Sequence, residues 1–109
     1  MNPHDKLVER SRALHRAVAE KIRSNPALLQ IARTNVARWM QDQSQHGPVS
    51  PALSEWKKIL ETRSLEQVLE LVCSESEQAD RLRHATPFSG ILTKAERSAI
   101  CEAHAALPA

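Results

Sequence analysis

The 109-residue chain has no tyrosine and one phenylalanine, Phe88; Trp39 and Trp56 complete its aromatic set. Its core must therefore be filled by Leu, Ile, Val and Ala, which suits helices better than strands. Glycine is as scarce, with Gly47 and Gly90 alone, so there is no Gly-rich loop to cradle a phosphate. Neither GxSxG nor HExxH occurs, which removes two common hydrolase signatures. Cys73 and Cys101 form no CxxC, and the five histidines offer no pair at ligand spacing. No metal site and no cofactor are expected. No segment approaches the ~18 uninterrupted apolar residues of a membrane helix. The opening MNPHDKLVERSR lacks the apolar stretch of a signal peptide. The expectation is a cytoplasmic protein with reduced thiols.

What is present reads as one helix after another. Asn2-Pro3-His4-Asp5 is a helix start, with a capping Asn, a first-turn Pro and an acid at the positive end of the dipole. Leu7, Leu14, Val18 and Ile22 follow at helical spacing. Asn25-Pro26 ends that helix and starts a second by the same chemistry, with Leu29, Ala32, Val36, Trp39 and Met40 on its apolar side. Residues 41–48, QDQSQHGP, hold no apolar residue and read as the one clear loop. Ser50-Pro51 starts a third helix with Leu53, Trp56, Ile59 and Leu60 inward. Capping-box pairs Ser64/Gln67, Ser74/Glu77 and Thr93/Glu96 open three more. These carry Leu65, Val68, Leu69 and Val72, then Ala79 and Leu82, then Ile100 and Ala103. Pro87 stops the fifth helix and Pro108 ends the chain. No alternating stretch suggests a strand. The prediction is a single all-α domain over 1–109, a compact bundle of about six short helices.

Charge is unevenly spread. Residues 1–40 carry eight cations against three carboxylates, residues 41–80 three against eight, and residues 81–109 four against two. A basic first part thus precedes an acidic middle. Arg12, Arg16 and Arg23 share one face of the first helix, roughly opposite Leu7, Leu14 and Val18. With Arg33 they could follow a phosphate backbone, although Glu9 and Glu20 dilute the potential and any amphipathic helix needs a polar face. A helix-turn-helix over SLEQVLELVCSESEQADRLRH would point Glu75, Glu77 and Asp80 at phosphates, so charge argues against it. His15 and His84 are the acid/base candidates, but His15 borders an apolar stripe and reads as structural. Cys73 ends an apolar run and reads as packing.

The stretch HATPFSGILTKAER holds the only Phe. Pro87 fixes a backbone angle, Gly90 permits a positive φ, and Thr93 caps the next helix. Phe88 then either plugs the gap between the last two helices or faces outward beside Ile91 as an interface anchor. The backbone chemistry of the corner favours the inward role.

ERSRALHRAVAEKIRSNPALL near the start and RLRHATPFSGILTKAER near the end together resemble a group of small bacterial proteins. That group pairs an ALHxxVAxxL-like first helix with an RLRxxSPFxGxLxxxER-like tail. The resemblance spans most of the chain, the SEWKKIL segment included. Thr86 stands where the pattern has Ser, and Ser98 where it has a bulkier residue. Members resemble antitoxins encoded beside toxin genes, or have no assigned role. The resemblance implies a non-enzymatic, protein-binding module that neutralises a cognate toxin by direct contact. Its expected surface is Glu70, Glu77, Arg81, Arg83, Phe88, Ile91 and Arg97. The alternative is a DNA-binding regulator using Arg12, Arg16, Arg23 and Arg33. A third reading is a homodimer or an accessory subunit.

Overall fold

Helix caps decide where each element begins. The computed structural model describes residues 3–105, with side chains from 5 to 104. Helices α1 (Pro3–Ser24), α2 (Leu29–Ser44), α3 (Pro51–Thr62), α4 (Leu65–Cys73), α5 (Glu77–His84) and α6 (Lys94–Ala105) follow in order, with a 3-10 turn over Pro26–Leu28. No strand occurs among the described residues. The fold is an all-α bundle. The expected cap at Asn2 and stop at Pro108 lie outside the described residues.

Three of the expected caps form. Ser50 Oγ accepts from Leu53 N at 3.2 Å, with Pro51 in the first turn. Ser64 and Gln67 bond reciprocally, backbone to side chain each way, at 3.0 and 3.2 Å. Thr93 and Glu96 do the same at 2.7 and 3.1 Å. Each such cap contributes roughly 0.5–2 kcal/mol by satisfying amides that have no partner inside the helix.

Two start signals move, and one loop shrinks. Asn25 makes no side-chain cap bond, and Pro26 opens the 3-10 turn instead, so α2 begins only at Leu29. Ser74 closes α4 through its backbone N–H to Leu71 O, and its hydroxyl accepts from Ser76 N at 3.3 Å. The cap of α5 is therefore Ser76, which accepts from Ala79 N at 3.1 Å. The polar run from Gln41 does not break α2, which continues to Ser44. Gln and Asp are tolerated in a helix; it is Gly47, at φ +144°, and Pro48 that prevent continuation.

α1 is the spine, packed against α4, α5 and α6, while α2 packs on α3. At 22 residues it is about 33 Å long, longer than any helix laid against it. That leaves Leu7, expected on the apolar stripe, 53% exposed near its start. The core joins Val18 and Ile22 of α1 to Trp56 and Ile59 of α3, Val68, Leu69 and Val72 of α4, Leu82 of α5 and Phe88. Trp56 is wholly buried, and its indole N–H donates to Leu82 O at 2.8 Å. Burying each large apolar side chain here contributes roughly 1.5–3 kcal/mol. α6 differs: none of its described side chains is fully buried, Ile100 and Cys101 are half-buried, and Ala103 is exposed.

Candidate functional site

The corner between α5 and α6 is braced from three helices. Phe88 is 4% exposed and stacks edge-on to Trp56 of α3, with ring centroids 5.4 Å apart. The His15 ring of α1 meets it edge-on at 6.1 Å. Asn35 of α2 donates its amide to Pro87 O and to Ser89 O, both at 2.9 Å, and accepts from Arg38 Nη2 at 3.0 Å. One buried amide thus ties two backbone carbonyls of the corner to α2. Gly90 adopts φ +93°, where a side chain is strained. Space is not the constraint, since an added Cβ would sit 3.8 Å from Ile31 Cγ2. Ser89 and Gly90 remain exposed at the tip.

His15 has a defined tautomer. Its Nδ1 lies 2.7 Å from Ser11 O, a carbonyl that can only accept, so Nδ1 carries the proton. Nε2 then accepts from Thr86 Oγ1 at 2.8 Å, and that hydroxyl accepts from Phe88 N at 3.3 Å. This chain runs from α1 into the corner and needs neutral imidazole. Burial, reinforced by the nearby Arg83 charge, lowers the His15 pKa below its ordinary value. His15 is buried, with both ring nitrogens hydrogen-bonded within the fold.

A second network lies on the α1–α4–α5 side. Arg83 is 3% exposed; its Nη1 donates to Val72 O at 2.8 Å and its Nη2 to Asp80 Oδ1. Asp80 also takes a two-pronged contact from Arg12, Nε to Oδ1 at 3.1 Å and Nη2 to Oδ2 at 2.8 Å. Arg12 further reaches Glu75 O at 3.2 Å and Glu9 Oε1 at 3.0 Å. The Arg12 hydrogen bonds first, and those from Arg83 next, bring the Asp80 pKa down to about 2 against the cost of burial. On α6, Glu96 bonds Lys21 at 2.6 Å as well as Thr93 N, and its pKa also falls to about 2.

These positions redraw the surface expected from sequence. Arg83, Phe88 and Ile91 are buried, and of the three only Phe88 reaches a surface cleft, as part of its wall. Arg83 turns inward because Asp80 and the free carbonyl at the end of α4 can both be reached from it. Glu70, Glu77, Arg81 and Arg97 are exposed. Arg81 leans on Glu55 of α3 at 3.1 Å, whereas Arg97 stands at the cleft beside the corner, so the structure does not gather them. The basic face of α1 is also reduced. Arg12 is engaged by Asp80, Arg23 by Glu20 at 2.9 Å and by Glu66 at 3.7 Å, while Arg16 and Arg33 stand exposed without an ion pair among the described residues. Cys73 is half-buried and burial raises its pKa, which works against a nucleophilic thiolate.

One cleft borders the corner. Leu14, His15 and Val18 of α1, Thr86, Phe88, Ser89, Gly90 and Leu92 of the corner, and Arg97 of α6 enclose about 100 Å³. Among the described residues no group of three or more His, Cys, Asp or Glu is arranged to hold a metal ion. No described helix is long and apolar enough to cross a membrane. Asn35 was invisible to sequence reasoning, because its partners lie 52 and 54 residues away. No family model, curated protein or solved structure matches the chain.

Proposed function

We propose that this chain is a non-enzymatic protein-binding module of the antitoxin-like kind, acting by direct contact with a cognate toxin. The observation that supports this is the construction of the corner. Phe88, Asn35, His15 and Trp56 lock residues 86–89 from three helices, yet Ser89 and Gly90 are held out in solvent beside the cleft. A tip held rigid by buried neighbours loses little entropy on docking, which is what a binding surface gains from such bracing. His15, the buried one of the two acid/base candidates, spends the hydrogen bonds of both ring nitrogens inside the fold.

The contact surface proposed is the tip with Arg97, in place of the buried Phe88, Ile91 and Arg83. The test is co-expression with the product of the neighbouring gene. Toxicity of that product alone, relief by this chain, and co-purification of the two are the expected results. A neighbour that is neither toxic nor retained would refute the reading.

A further inference from the structure

We infer that the cleft between α1, the corner and α6 takes a branched apolar side chain from an acidic segment of a partner polypeptide. The inference rests on the protein-binding reading and names the chemistry of the contact. The cleft's inner wall is apolar: Leu14, Val18, Phe88 and Leu92. Its volume of about 100 Å³ suits a Val or Leu side chain; an apolar cavity of ~150 Å³ is enough for benzene.

Charge selects the flanks. No carboxylate lines the cleft, and Arg97 at its edge has no ion pair among the described residues. Lys94, one turn earlier on α6, also has none. Glu96, next to Arg97 in sequence, is matched by Lys21. Arg97 therefore leaves the cleft lining with one unmatched positive charge. A carboxylate beside the inserted residue meets the Arg97 cation, and a lysine there meets repulsion. Arg97 can take such a carboxylate through two parallel hydrogen bonds. Ser89 hydroxyl, exposed on the rim, adds a donor.

The experiment is a titration of the full chain, labelled with nitrogen-15, with three capped tripeptides: Glu-Leu-Glu, Glu-Ala-Glu and Lys-Leu-Lys. Isovalerate serves as a fourth probe. Saturable shifts of the Thr86, Ser89, Gly90, Leu92 and Arg97 amides are expected with Glu-Leu-Glu. Binding should be at least tenfold weaker with Glu-Ala-Glu and absent with Lys-Leu-Lys. Arg97→Glu should lower Glu-Leu-Glu affinity at least tenfold, and Lys58→Glu on α3 should leave it unchanged. Equal binding of Lys-Leu-Lys, indifference to Arg97→Glu, or no shifts at these amides overturns the inference. Isovalerate binding as tightly as the peptide overturns its assignment to a polypeptide. If the neighbour's product co-purifies while the cleft stays silent, this inference fails alone. If the peptide binds and the neighbour does not, the antitoxin reading fails and the cleft stands.

Discussion

Replacing Asp80 by Asn keeps the side-chain volume and removes the charge shared by Arg12 and Arg83. The two arginines differ in what they lose. Arg83's side chain is 1% exposed, so its cation is left inside the protein with one fewer partner. Removing one member of a buried pair typically costs ~3–5 kcal/mol. Asp80 itself is 23% exposed, so water reaches the vacated place and moves the expectation towards ~2–3 kcal/mol. Against a total stability of ~5–15 kcal/mol, that loss is readily measured by urea denaturation followed by circular dichroism. Acid supplies a second arm. The folded-state pKa of Asp80, about 2, lies below its ordinary 3.8. The unfolded chain therefore binds the proton first, and the stabilisation is fully present above pH ~4 and fades as pH falls through about 2. The linked amount is ~1–2 kcal/mol once partial exposure is allowed for. The gap between wild type and Asp80→Asn should thus narrow by about that much between pH 6 and pH 2.5. A gap under ~1 kcal/mol at pH 6, or one that does not change with pH, would refute the network as an electrostatic brace.

Phe88→Ala should destabilise by ~3–5 kcal/mol, as truncating a buried aromatic ring does; a drop in melting temperature of only a degree or two would mean the ring is not core. Asn35→Ala, which leaves Pro87 O and Ser89 O without their donor, should cost ~1–3 kcal/mol and loosen the Ser89–Gly90 amides in hydrogen exchange. His15 is held neutral, so its stabilisation is complete above pH 6.5 and declines as pH falls below it. His15→Gln should flatten stability between pH 7 and pH 5 relative to wild type, and an unchanged profile would remove the tautomer argument. DNA retention should be weak and largely abolished by moderate salt, since Arg12 and Arg23 are already paired; tight binding at moderate salt would restore the regulator reading.

Most of the architecture could be read from the chain because helix starts are local. Ser64/Gln67 and Thr93/Glu96 each need only a serine or threonine and a long polar residue three positions on. The misplaced cap at Ser74 shows the limit: Ser74 and Ser76 both offer a hydroxyl, and the end of α4 determines which one is available. The site was harder. Arg83 read as part of the partner-facing surface, and only its i,i+3 spacing from Asp80 hinted at an internal partner. The Arg12–Asp80 pair bridges 68 residues and the His15–Thr86 pair 71, with no periodicity to announce either. Phe88 could be placed inward because Pro87 and Gly90 define the corner, but its partners, Trp56 and His15, come from packing alone.

The shallow seating of α6 has a dynamic consequence. Among its described residues α6 has no fully buried side chain; it packs on α1, with Ile100 and Cys101 half-buried and Lys21–Glu96 as the ion pair between the two helices. Its detachment exposes far less apolar surface than unfolding the bundle, so its amides should exchange by a separate, lower-energy opening. Arg97 and Leu92 travel with that opening, while His15, Val18 and Phe88 stay with the core. If α6 opens in this way, exchange at the Arg97 amide should be faster than at the His15 and Val18 amides on the opposite wall of the cleft.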